Sequence, residues 1–246
     1  MKYHHLLIFL ILVISSDVFG QNTQKNRPAN ENNHAFRFTI NTGVTFSNAF
    51  GKGTDKESNI NGYPPDCYTN GSAGTHFILG KKIGIGFIKD LNDKFSIGLD
   101  INYEEKGSRI PVSFIWYEGK PQAIDEKSNI RLKYIALPLK LETRFKKMYV
   151  QSGIYAGVLL DADDYGTING IYFERDKDSR YSRIDIGVGV GFGKRIPLSA
   201  KSILKLGING NWSLIDNEAR AMTPGDPQSW FNQSLNFEIR FERKIK

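Results

Sequence analysis

Residues 183–195 read RIDIGVGVGFGKR, with glycine at positions 187, 189, 191 and 193. A dinucleotide-binding loop spaces its glycines G-x-G-x-x-G and opens a helix. Here the interval is a strict two, and no helical period follows. Residues i, i+2 and i+4 of a strand share one face. Ile184, Ile186, Val188, Val190 and Phe192 therefore form an apolar face, and Asp185 with the four glycines forms the other. Glycine inside a strand marks a place where something bulky approaches. The stretch reads as a wall strand whose bare face looks at large side chains.

The same period of two runs along most of the chain, with aromatic and β-branched residues enriched, which is the strand signal. Eight strands are predicted, at about 37–48, 76–88, 94–105, 131–143, 148–160, 183–195, 202–214 and 231–243. The third is the cleanest: Phe95, Ile97, Leu99, Ile101 and Tyr103 alternate with Ser96, Gly98, Asp100, Asn102 and Glu104. The links alternate in length. Those at about 50–74, 106–130, 161–180 and 215–230 are long, and those at 89–93, 144–147 and 195–201 are short. Consecutive antiparallel strands would put all the long links at one end and all the short ones at the other.

Residues 1–20, MKYHHLLIFLILVISSDVFG, have a basic start and an apolar run from Leu6 to Ile14. That run is shorter than the ~20 residues of a spanning helix, so the segment reads as a signal peptide cleaved near Gly20–Gln21. Residues 21–36 are polar and Asn-rich and read as a flexible periplasmic lead-in to a domain at 37–246. The chain holds one cysteine, Cys67, so no internal disulfide can form. Past the leader the only histidines are His34 and His76, and no metal-ligand spacing exists. Asp161, Asp163 and Asp164 lack the ordered spacing of a calcium loop. No Ser-His-Asp constellation is legible. The expectation is no cofactor, no metal and no enzymatic activity. Net charge is +7. Export makes nucleic acid an improbable partner, and anionic lipid headgroups fit the basic balance better.

Periodicity does not say which face points inward. A soluble lipocalin-like binding barrel puts apolar residues inside; a transmembrane barrel puts them toward lipid. The signal peptide, the alternation of short turns with long loops, and the glycine-rich polar face favour the second. The predicted fold is all-β: an eight-stranded antiparallel up-and-down transmembrane β-barrel with short periplasmic turns and long extracellular loops. Asp100, Glu104, Lys140, Glu142, Arg183, Asp185, Glu238 and Arg240 then form a lumenal charge network. Tyr103, Tyr134, Phe145, Tyr149, Trp212 and Phe231 fall near strand ends, where interfacial girdles sit. In the second long loop Phe114, Trp116 and Tyr117 form an apolar recognition surface or simply extend the wall. Pro138 inside the fourth strand calls for a bulge or a ladder that tolerates a missing donor. Lys81 falls on the apolar face of the second strand, so that strand either bulges there or starts lower.

Four segments carry a family resemblance: YIALPLKLE (Tyr134 to Glu142), MYVQSGIYAGVLL (Met148 to Leu160), IDIGVGVGFG (Ile184 to Gly193) and LNFEIRF (Leu235 to Phe241). With them the chain resembles the PorT-like outer-membrane β-barrel proteins of Bacteroidetes-type bacteria. The resemblance implies an eight-stranded barrel in the outer membrane with its N-terminus in the periplasm. It supplies no catalytic residues. The expected function is a non-catalytic structural, accessory or docking subunit of an outer-membrane secretion or envelope machinery. Its partners would be outer-membrane lipid and other envelope proteins. A narrow porin-like channel is the competing membrane reading.

Overall fold

The computed structural model describes residues 35–50, 69–70, 76–117, 120–168, 171–176, 181–215 and 231–245, all within the unit Asn33–Lys246. The signal peptide, most of the lead-in, His34, Cys67 and the loop at 216–230 lie outside the described residues. Ten strands follow in order: β1 (Phe36–Phe50), β2 (Thr69–Asn70), β3 (Ile78–Asp90), β4 (Phe95–Tyr117), β5 (Lys120–Phe145), β6 (Met148–Ile168), β7 (Ile171–Asp176), β8 (Ile184–Pro197), β9 (Ser202–Ser213) and β10 (Phe231–Lys244).

Eight of them make a ring. The order β4-β3-β1-β10-β9-β8-β6-β5 is closed by pairing of β4 with β5, and every ladder is antiparallel. This is a closed eight-stranded up-and-down barrel. The short strands lie outside the ring, β2 against β4 and β7 against β6.

The connections from Asp90 to Phe95, Phe145 to Met148 and Pro197 to Ser202 are all tight and lie at one end. In the first, the Asn92 side-chain carbonyl accepts the N–H groups of Lys94 and Phe95, both at 2.8 Å. The second is a two-residue turn that puts Lys146 at φ 52°. The first and last described strands, β1 and β10, begin and end at this rim, where Arg37 pairs with Lys244.

The faces are arranged inside out relative to a water-soluble barrel. Ile83, Leu99 and Ile154 are more than half exposed on the outer wall, while Thr39, Asn102, Asp185, Lys205 and Glu242 are sealed from solvent in the lumen. A lipocalin-like cup requires the reverse, so the soluble reading is overturned. An outward apolar wall and a polar interior are the arrangement for lipid.

Three expectations change and one, at Pro138, is resolved. First, 106–130 is not a loop: β4 and β5 continue through it as a hairpin and run 23 and 26 residues. A membrane strand needs only ~9–11 residues, so β4, β5 and the 21-residue β6 rise well above the bilayer on the long-loop side. Second, Tyr134 and Tyr149 are not girdle residues. Both are buried in the lumen, because they share the parity of Lys140 and Gln151. Phe145 and Trp212 do face outward. Third, of the two expectations at Pro138, the ladder that tolerates a missing donor is the one found, with no register slip. Leu99 pairs Leu139 and the same register resumes at Asn102 with Ala136, leaving the two intervening pairs unladdered. Fourth, Lys81 lies in an unbroken β1–β3 register and faces outward, 3.3 Å from Glu105.

Candidate functional site

The lumen is filled from the turn end upward by paired charges. At the foot, Arg37 of β1 donates to Glu242 at 2.7 Å and also pairs Asp90, which Arg144 approaches at 3.0 Å. Lys205 of β9 bridges Glu242 and Glu142, both at 2.5 Å, and its ammonium lies 4.9 Å from the Tyr149 ring centre. In the middle, Arg240 of β10 reaches Asp100 at 3.0 Å and Glu238 at 2.7 Å, and Lys140 meets Asp100 at 2.8 Å. Lys82 of β3 joins Glu238 at 3.0 Å to Glu104 at 3.3 Å. Higher up, Lys106 of β4 sits between Glu104 at 3.6 Å and Asp185 at 3.0 Å. The Tyr155 ring lies 4.3 Å from that ammonium. Ser213 donates to Asp185 at 2.7 Å.

Six of the eight sequence-derived residues, Asp100, Glu104, Lys140, Asp185, Glu238 and Arg240, therefore meet in one connected network, and Glu142 joins the cluster at the foot through Lys205. Arg183 joins neither. It is exposed at a bend just ahead of β8, because the strand starts one residue later than the alternation suggests. Sequence reading missed Arg37, Lys82, Asp90, Lys106, Lys205 and Glu242. Lys82, Lys205 and Glu242 already had polar-face parity in the predicted strands, so parity alone could have found them. Lys106 lay beyond the predicted end of its strand.

The opening glycines face this network. A Cβ at Gly187 would stand 2.5 Å from the Tyr155 ring, and one at Gly193 would stand 2.7 Å from the Tyr149 ring. One at Gly207, opposite Gly193 on β9, would collide with the Tyr149 hydroxyl. The bare faces of β8 and β9 hold the two tyrosine rings that cross the lumen.

Above Lys106 the interior turns apolar on the β5–β6 side, while Ser47, Ser108, Asn232 and Ser234 keep the facing side polar. Ile130, Leu132, Tyr134, Ala162 and Tyr181 pack together, with Leu159 beside them, and Leu132 is the ladder partner of Lys106. Below this cluster, a cavity of about 30 Å³ bordered by Lys140, Gln151, Tyr155 and Asn209 has room for about one water. The arrangement holds charge in place and fills the described interior with paired side chains.

On the outer wall of β5 and β6 a bulge at Leu160 restarts the pairing as Lys133 with Asp161, turning Asp161 and Asp163 to the outside. Both carboxylates are committed to the Lys133 ammonium, at 2.5 and 2.8 Å. Hydrogen bonds to Asp161 and then Asp163 hold that ammonium above the ordinary lysine range. The backbones of Phe114, Trp116 and Tyr117 lie on the upper part of β4, paired to Ala123, Pro121 and Lys120 of β5.

A family model described as "Outer membrane protein beta-barrel domain" matches residues 19–218. No curated protein matches the chain. Among solved structures, Ail, the attachment invasion locus protein of Yersinia pestis, is 7% identical with a TM-score of 0.38, covering 85% of this chain and 99% of that one. The outer membrane protein OprG of Pseudomonas aeruginosa is 12% identical with a TM-score of 0.42, covering 86% and 97%. Neisserial surface protein A is 11% identical with a TM-score of 0.40, covering 85% and 97%. Similarity at this level carries no argument about activity.

Proposed function

The chain belongs to the outer membrane protein beta-barrel domain family, and from that premise we propose that it is a non-catalytic integral barrel of the PorT-like kind, acting as a structural or docking subunit of an envelope assembly. The observation that carries this reading is the filled lumen. Charges from β1, β3, β4, β5, β8, β9 and β10 neutralise one another across it, and an apolar cluster packs above them on the β5–β6 side. An eight-stranded barrel is just wide enough for its own side chains. A plug of this kind serves rigidity rather than passage, which argues against a narrow porin.

Recognition then falls to what stands above the bilayer. Binding segments are commonly displayed on a rigid scaffold, and here β4 to β6 supply a tall wall whose upper β4 segment carries Phe114, Trp116 and Tyr117. In this reading the signal peptide is removed near Gly20, the short turns face the periplasm, and other envelope proteins dock on the wall.

The test is the native size of the protein extracted from outer membranes in mild detergent. A stoichiometric complex that dissociates when Trp116 and Tyr117 are replaced by alanine is the expected result. A lone barrel would defeat the docking reading. Discrete conductance steps from the purified barrel in a planar bilayer would defeat the sealed lumen.

A further inference from the structure

The outer wall carries a furrow that the lumenal network does not explain. A shallow, open cleft of about 680 Å³ runs from Met148 of β6 across β8, β9 and β10 to Thr42, Gly43 and Val44 of β1 on the lipid-facing side. Two neighbouring ladder rows form its sides. One is Lys194–Leu206–Ile239 and the other Phe192–Ile208–Phe237. Its floor is backbone from the row between them, in which Gly193 pairs Gly207 and Gly207 pairs Glu238. Side chains of that row point into the lumen, so nothing fills the furrow from below.

The side chains on the walls are apolar except Thr42 of β1, whose hydroxyl donates to the Lys82 carbonyl, and Lys194, which is exposed. It lies three residues from the end of β8, close to the short-turn rim. That rim is basic: Lys94, Lys146, Lys147 and Lys201 occupy its turns. Lys194 has no ion-pair partner among the described residues. A lysine at the edge of the hydrocarbon extends its ammonium toward the headgroups, and a basic surface there attracts anionic lipid.

We propose that this furrow is a binding site for one anionic phospholipid of the periplasmic leaflet, with an acyl chain lying between the Leu206 and Phe192 rows and the phosphate on Lys194. The chain supplies what the furrow needs, a flexible apolar rod. The phosphate supplies the counter-charge that the protein does not. The site is independent of any docking on the extracellular wall.

The test is native mass spectrometry of the full barrel in mild detergent with phosphatidylglycerol added in increasing amounts. One lipid adduct per barrel is expected at low lipid. Lys194→Glu should lower its occupancy about five-fold, from the ~1 kcal/mol that a lysine contributes near an anionic surface. Leu206→Trp, which fills the furrow, should abolish it. Lys89→Glu, on the outer face of β3 beside Phe36, should leave it unchanged. Heat-modifiable gel mobility checks that each variant keeps the closed barrel. Unchanged occupancy in both furrow variants would overturn the proposal. Equal loss in the Lys89 variant would reduce the effect to general rim charge and also overturn it. A dimer that replaces the adduct and disappears in Leu206→Trp would give the furrow to a second copy instead.

Discussion

Replacing Lys106 with methionine isolates one buried charge. Lys106 is the one described cation paired with Asp185, 3.0 Å away; its other partner, Glu104, keeps Lys82 at 3.3 Å. Two unit charges at 3.0 Å attract by about 5 kcal/mol at an effective dielectric constant of about 20. Removing one member of a buried pair usually costs ~3–5 kcal/mol, because the other stays behind uncompensated. The Ser213 hydroxyl, which donates to Asp185 at 2.7 Å, offsets a part of that. Lys106→Met should therefore destabilise the barrel by about 3 kcal/mol. Asp185→Asn should cost less, about 1–2 kcal/mol, since Lys106 still faces Glu104 and the amide can still bond. The double variant should be no worse than Lys106→Met alone, a coupling of about 2 kcal/mol in a double-mutant cycle. Urea titration of protein refolded in lipid measures this, with gel mobility and the fluorescence of wall tryptophan Trp212 as independent probes. A cost below about 1 kcal/mol for Lys106→Met, or simple additivity, would mean that water reaches this part of the lumen and that the plug described above is not closed.

Three further outcomes follow from the wall. Gly207→Ala should cost ~1–3 kcal/mol through the collision with the Tyr149 hydroxyl, and Tyr149→Phe in the same chain should recover much of it in the same titration. Leu99→Arg, half exposed on the outer wall of β4 midway between Phe95 and Tyr103, should cost ~2–4 kcal/mol in lipid; a neutral result would place that face in water. Lys146→Gly should stabilise by up to ~1 kcal/mol, because Lys146 holds φ 52° in its two-residue turn, a conformation that costs a residue with a Cβ about that much. A raised urea midpoint at unchanged slope is the readout.

The alternation at Phe95–Tyr103 was enough to specify a strand and its two faces, because side-chain direction along a strand is a local property with a period of two. The glycines at 187–193 likewise announced that something large stands against β8, since a missing Cβ is a local fact. The sequence also held the parity of Lys82, Lys205 and Glu242. It could not hold their pairings. Arg37 and Glu242 lie 205 residues apart, and Arg240 and Asp100 lie 140 apart. Only closure of the ring and its stagger bring such residues across the lumen. For the same reason Tyr134 and Tyr149 looked like interfacial residues from their nearness to strand ends, while their parity put them inside. The ends of β4, β5 and β6 were hidden as well. Past the membrane a strand is stabilised by pairing with its neighbour rather than by an alternating apolar face, so the periodic signal fades where the ladder continues. Local chemistry thus determined the strands and the composition of each face. The tertiary structure decided which face is the lumen, who pairs with whom inside it, and how far the wall rises, because each of those depends on contacts between segments remote in the chain.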